Sequence, residues 1–230
     1  MSLRTQGAPP FEVVVFDCDS TLSRIEGIED LARDHADEGR ALTDRAMRGE
    51  VPLEEVYGRR LDLIRPRAED LLRVAERYRE EALPRAEETV RTLLALGKQV
   101  RVVSGGLLPC VRPFAQGLGI DPELVFAVDA QTGPDGAWLD FDRASPLARA
   151  GGKLDLLRSW GDLGPIALVG DGATDLEAAP ACARFIAFTA VAHRPAVAEA
   201  ADAVCSGPGL DALLPLLLTQ EELASLDTPS

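Results

Sequence analysis

Six short, mostly apolar runs punctuate the chain: FEVVVF at 11–16, QVRVV at 99–103, LVFAV at 124–128, IALVG at 166–170, FIAF at 185–188 and ADAVC at 201–205. Runs of this length and composition read as strands, the first of them buried on both faces. Stretches with helical spacing fall between them: 86–97, which closes on Gly97 as a natural C-terminal cap, a stretch near 109–118, and 152–160. Apolar strands separated by helices define an α/β chain with a parallel sheet and helices on both faces. In such sheets, ligands sit beyond the carboxyl ends of the strands. Three of the runs end in polar motifs, FDCDST, VSGG and VGDGATD, which are predicted to meet in one crevice although they lie far apart in the chain.

The stretch 22–85 breaks this alternation. It is rich in Glu, Arg, Ala and Leu, with Gly39, Gly49, Pro52 and Pro66 as breaks, and reads as three or four short helices without a strand. We therefore expect a core formed by 1–21 and 86–230 and a helical insert at 22–85. TGPDGAW carries turn signals between two extended pieces, as in a hairpin. Residues 1–10 read as a loose polar start, and the chain is expected to fray from about 219.

Asp17 and Asp19 stand two apart at a strand end, so on a regular strand they face the same way. Two close carboxylates repel unless a cation lies between them. The pair suits phosphoryl transfer, one carboxylate attacking phosphorus while the other donates and recovers a proton. A solvated acidic turn is the plainer alternative for such a pair alone. Asp171 and Asp175 add two carboxylates among glycines, a set that suits magnesium, or else a glycine turn with a capped helix. Ser104 with the backbone N–H of Gly105 can form an anion site, and Lys153 can supply a point charge to a phosphate oxygen. Each element is weak alone. The four occurring in order, three of them at strand ends, point to a phosphate site. The formal net charge of −14 argues against nucleic acid or an anionic membrane as partner, and makes a local cation necessary wherever phosphate binds.

The order DxDST, SGG, Lys, GDGxxD resembles that of the haloacid dehalogenase superfamily. Within it, FDCDSTLSRIEGIEDLA, AMRGEVPLEEVYGRRLDLI, VVSGGL, GGK and VGDGATDLEAA are similar to phosphoserine phosphatases, a resemblance running from about Phe11 to Cys205. It implies a Rossmann-like core with a small helical cap inserted after the first strand. It also implies an Mg²⁺-dependent hydrolase that takes O-phosphoserine to serine and phosphate through an aspartyl-phosphate, the last step of serine biosynthesis. By the same resemblance, Asp17 is nucleophile and metal ligand, and Asp19 is general acid/base and lends its backbone carbonyl to the metal. Asp171 is the third metal ligand, with Asp175 supporting the metal shell. Ser104, Gly105 and Lys153 hold the phosphate, Glu26 takes the substrate ammonium and Arg60 its carboxylate.

Leu53 and Leu107 stand where relatives often carry an aromatic. Cys18 is expected to point into the core. His35, His193, Trp138 and Trp160 read as surface or packing residues, and only the resemblance selects Arg60 over its neighbour Arg59. Phosphothreonine, phosphohomoserine, an amino-alcohol phosphate or a non-catalytic binding role are the competing readings. Four well-separated cysteines, no CxxC pair and no apolar run of about 20 residues suggest a reduced cytoplasmic protein.

Overall fold

The computed structural model describes residues 10–32 and 53–226; the side chains of Leu53 and Glu54 are outside that description. His35 and the central part of the predicted insert also lie outside it. In chain order the elements are β1 (Val13–Phe16), α1 (Gly27–Leu31), α2 (Leu53–Ile64), α3 (Ala68–Glu80), α4 (Ala86–Ala95), β2 (Gln99–Leu107) and α5 (Leu108–Gly117). Then follow β3 (Val125–Val128), β4 (Ala130–Thr132), β5 (Trp138–Phe141), α6 (Gly152–Ser159), β6 (Ile166–Gly170) and α7 (Ala173–Ala178). The chain continues through β7 (Arg184–Phe188), α8 (Pro195–Ala200), β8 (Ala203–Cys205), α9 (Leu214–Leu217) and α10 (Gln220–Leu226).

Six strands form one parallel sheet in the order β3-β2-β1-β6-β7-β8, as the apolar runs predict. β1 and β6 are buried at every residue, which is why their sequences show no alternation. Burying a Val or Phe side chain contributes roughly 1.5–3 kcal/mol, so the central strands anchor the molecule. Helices pack through single stripes. α3 buries Leu71, Val74, Ala75 and Tyr78, and α4 buries Ala86, Thr89, Val90 and Leu93, both with helical spacing. The hairpin read from TGPDGAW is present as the antiparallel pair β4–β5.

Three expectations are corrected. The VSGG segment does not leave the sheet at its glycines: β2 runs on to Leu107, which pairs with Val128 of β3 across an irregularity. The DCDS segment is not regular strand, because β1 stops at Phe16 and Ser20 adopts a left-handed φ of 53°. The chain end does not fray at 219. Thr219 and Glu222 cap one another there, with Glu222 N–H on Thr219 Oγ1 at 3.2 Å and Thr219 N–H on Glu222 Oε2 at 2.8 Å. Glu222 also pairs with the buried Lys98 at 2.7 Å, tying α10 to the core.

Candidate active site

Sheet register brings the motifs together. Phe16 stands level with Val102 of β2 and with Val169 of β6. Asp17, Ser104 and Asp171 therefore emerge one or two residues beyond the same line, at the carboxyl edge of three adjacent strands. A glycine at the end of β6 gives the Asp175 side chain room. A Cβ on Gly170 would lie 2.2 Å from Asp175 Cγ, so only glycine there lets Asp175 fold back under the site.

Lys153 is the hub. Its ammonium lies 2.9 Å from Asp17 Oδ1 and 2.6 Å from Asp175 Oδ1, and all three side chains are buried. Asp17 Oδ1 also accepts the Cys18 N–H at 2.8 Å, and Asp175 Oδ2 accepts that of Gly172 at 3.0 Å. Burial, aided by Asp175, pushes the Asp17 carboxyl up to about 8 against the pull of Lys153. Burial and then Glu26 push Asp19 up to about 7, with Tyr78 and the Gly27 backbone opposing. Burial favours a neutral Lys153, but Asp17 and Asp175 outweigh it and hold the ammonium above its usual range.

Asp17, Asp171 and Asp175 each place a carboxylate oxygen within 4.8 Å of the others. Asp171 Oδ2 is buried without a well-formed hydrogen bond, although the Arg194 guanidinium lies against it. Four acidic side chains, Asp17, Asp19, Asp171 and Asp175, crowd around Lys153 and the half-exposed Arg194. Such an excess of hard oxygen donors fits a divalent cation.

A cavity of about 250 Å³ opens here, and its walls include Asp17, Asp19, Lys153, Gly105 and Asp171. Glu26 and Arg60 line the same cavity. Glu26 accepts the Ser20 hydroxyl at 2.7 Å. Arg60 bonds Glu29, while its buried Nε has no partner among the described residues. Arg59 instead pairs with Glu55 on the surface at 2.5 Å, so the structure separates the two neighbouring arginines. Ser104 and Asp175 do not line the cavity: both are fully buried, and Ser104 Oγ accepts the Gly106 N–H at 2.9 Å. Cys18 is buried as expected, His193 is exposed, and Leu107 is buried.

Three contacts were not anticipated from the sequence. Arg194, on the loop after β7, reaches Asp171 and lies 3.6 Å from Glu26. Thr21 Oγ1 lies 3.4 Å from Asp171 Oδ1. The Tyr78 hydroxyl donates to Asp19 Oδ1. Arg194 was findable, since its loop follows the carboxyl end of a central strand. Tyr78 sits on the buried stripe of α3 and looks like any core aromatic.

A parallel α/β core with an acidic, lysine-centred crevice at its strand ends is the architecture of a phosphoryl-transfer hydrolase. The profile of haloacid dehalogenase-like hydrolases matches residues 14–180, and the chain belongs to that family. It is 39% identical over 199 residues to the chloroplastic phosphoserine phosphatase of Arabidopsis thaliana, covering 83% of this chain and 67% of that one. It is 36% identical to the phosphoserine phosphatase of Homo sapiens, covering 77% of this chain and 81% of that one. A solved structure of a phospho-aspartyl intermediate analogue of phosphoserine phosphatase superposes with a TM-score of 0.71 at 28% identity, covering 90% and 98% of the two chains.

Proposed function

We propose that the protein hydrolyses O-phosphoserine to serine and phosphate, with Mg²⁺, through a phosphoryl group carried on Asp17. The observation that carries this reading is one cavity lined both by Lys153, Gly105, Asp17, Asp19 and Asp171 and by Glu26 and Arg60. A phosphorylated amino acid offers a phosphate to the first set, an ammonium to Glu26 and a carboxylate to Arg60. The helices α1–α3 act as the cap that supplies those two residues, within the segment 22–85.

Asp17, Asp171 and the Asp19 carbonyl would hold Mg²⁺, with Asp175 supporting them. Bound there, the ion offsets the negative charge of carboxylates and phosphate. Lys153 and the Gly105 N–H orient the phosphate for in-line attack, and the Ser104 hydroxyl can turn towards it. An Asp17 oxygen forms a bond to phosphorus as the bond to the serine oxygen breaks. That oxygen leaves with the bonding pair and takes the proton of Asp19, whose raised pKa suits the acid role. Water then attacks phosphorus and gives a proton to Asp19, and the Asp17 carboxylate is released with inorganic phosphate. A panel of phosphomonoesters ranked by kcat/KM in the presence of Mg²⁺ tests the reading. Phosphoserine should lead, above phosphothreonine and far above phosphoethanolamine. An amino-alcohol phosphate in first place would overturn the substrate assignment, and no turnover of any ester would overturn the chemistry.

A further inference from the structure

The chain contains two tyrosines, and both stand on the helices between β1 and β2 with their hydroxyls on the strand-end motifs. Tyr57 of α2 donates to the Gly105 carbonyl at 2.8 Å. Tyr78 of α3 donates to Asp19 Oδ1. The Tyr78 side chain is fully buried and its ring stacks on Phe114, with centroids 5.6 Å apart and planes 14° from parallel. Its hydroxyl occupies a slot that two glycines leave open. A Cβ on Gly27 would lie 2.1 Å from the phenol oxygen, and one on Gly106 would lie 3.2 Å from it. A ring needed only to fill space would be served by Phe. Here the backbone on two sides makes way for a polar tip that ends on a carboxylate.

We infer that Tyr78 is the positioning residue of Asp19: by occupying Oδ1 it fixes the carboxyl rotamer and leaves Oδ2 to exchange the proton. The inference rests on the reading of Asp19 as general acid/base. A phenol has one proton to give, and giving it to Oδ1 makes the two carboxyl oxygens inequivalent. In the first step the Oδ2 proton passes to the departing serine oxygen. In the second, the attacking water returns a proton to the same atom. Without the phenol the carboxyl keeps only the Gly27 backbone N–H of these two partners, and the acidic proton is held in line for a smaller part of the time. General acid–base catalysis depends on that alignment.

Tyr78→Phe keeps the ring and removes the donor. The measurement is the single-turnover rate of phosphoenzyme formation with Mg²⁺ for two substrates. Phosphoserine loses a poor alkoxide leaving group and needs the proton; p-nitrophenyl phosphate loses a good one and needs it little. The variant should lose at least about tenfold more rate on phosphoserine than on p-nitrophenyl phosphate, a part of the roughly 10²–10⁴ that a positioned acid contributes. Its thermal midpoint should stay close to that of the wild type. Gly27→Ala, whose methyl group would displace the hydroxyl without altering the tyrosine, should show the same split. Equal losses on both substrates, or wild-type rates on both, would overturn the inference. Asp19→Asn run in parallel separates the two levels. If it shows the split while Tyr78→Phe does not, only the positioning role falls. If Asp19→Asn shows no split, the acid/base reading itself falls.

Discussion

Arg59 and Arg60 illustrate what one residue of helical phase decides. They are chemically identical, yet one pairs with Glu55 in solvent while the other turns into the cavity with an unbonded Nε. If Arg60 grips the substrate carboxylate, the charge-assisted bond is worth roughly 1.5–3 kcal/mol in a closed site, or about one to two decades of kcat/KM. Arg60→Ala should lose that factor on phosphoserine and change p-nitrophenyl phosphate hydrolysis little, since that ester has no carboxylate. Phosphoethanolamine should be a poor substrate before and after. Parallel losses on all three in a folded variant would mark Arg60 as structural and remove the main support for phosphoserine. Tyr78 could not be read in the same way. Its role depends on which strand end its helix faces across the fold, which local pattern does not encode.

At the scale of elements, the sheet was legible because its strands are buried on both faces and so are written as unbroken apolar runs. The strand ends were less so. Continuation of β2 through Ser104-Gly105-Gly106 depends on β3 pairing with Leu107, a partner distant in sequence. The closing helix was missed although its Thr-x-x-Glu capping pattern is local, because the anchor is Lys98, buried more than a hundred residues earlier. The β6–α7 connection offers a direct test of how the fold builds the site. Gly170→Ala would force its methyl group onto Asp175. Overpacking of this kind costs about 1–3 kcal/mol, and here it also pushes Asp175 off Lys153. Denaturant unfolding should show that loss, together with weaker stabilisation by Mg²⁺. Unchanged stability and unchanged Mg²⁺ response would mean that the close approach of Asp175 to the strand end does not organise the site.

For the molecule as a whole, the acidic crevice links stability, pH and metal. Asp17 and Asp19 titrate near 8 and near 7 in the metal-free fold, whereas an unfolded Asp titrates at about 4. Their contribution to stability is therefore greatest below about pH 4 and is lost as pH rises through those folded values. A divalent cation favours the ionised form and opposes that loss. The rise in thermal midpoint produced by Mg²⁺ should accordingly grow from pH 6 to pH 9. An increment that is constant with pH, or largest at pH 6, would contradict the placement of the ion among these carboxylates. No helix of the described residues is long and apolar enough to cross a membrane. The phosphoryl carrier can be measured directly. Radiolabelled phosphoserine, mixed with enzyme and Mg²⁺ and quenched in acid within the first turnover, should leave label on the protein. Borohydride reduction of the acyl phosphate should convert residue 17, and no other, to homoserine, and Asp17→Asn should trap nothing. Turnover without any protein-bound label, or label on another residue such as Cys18, would contradict the account.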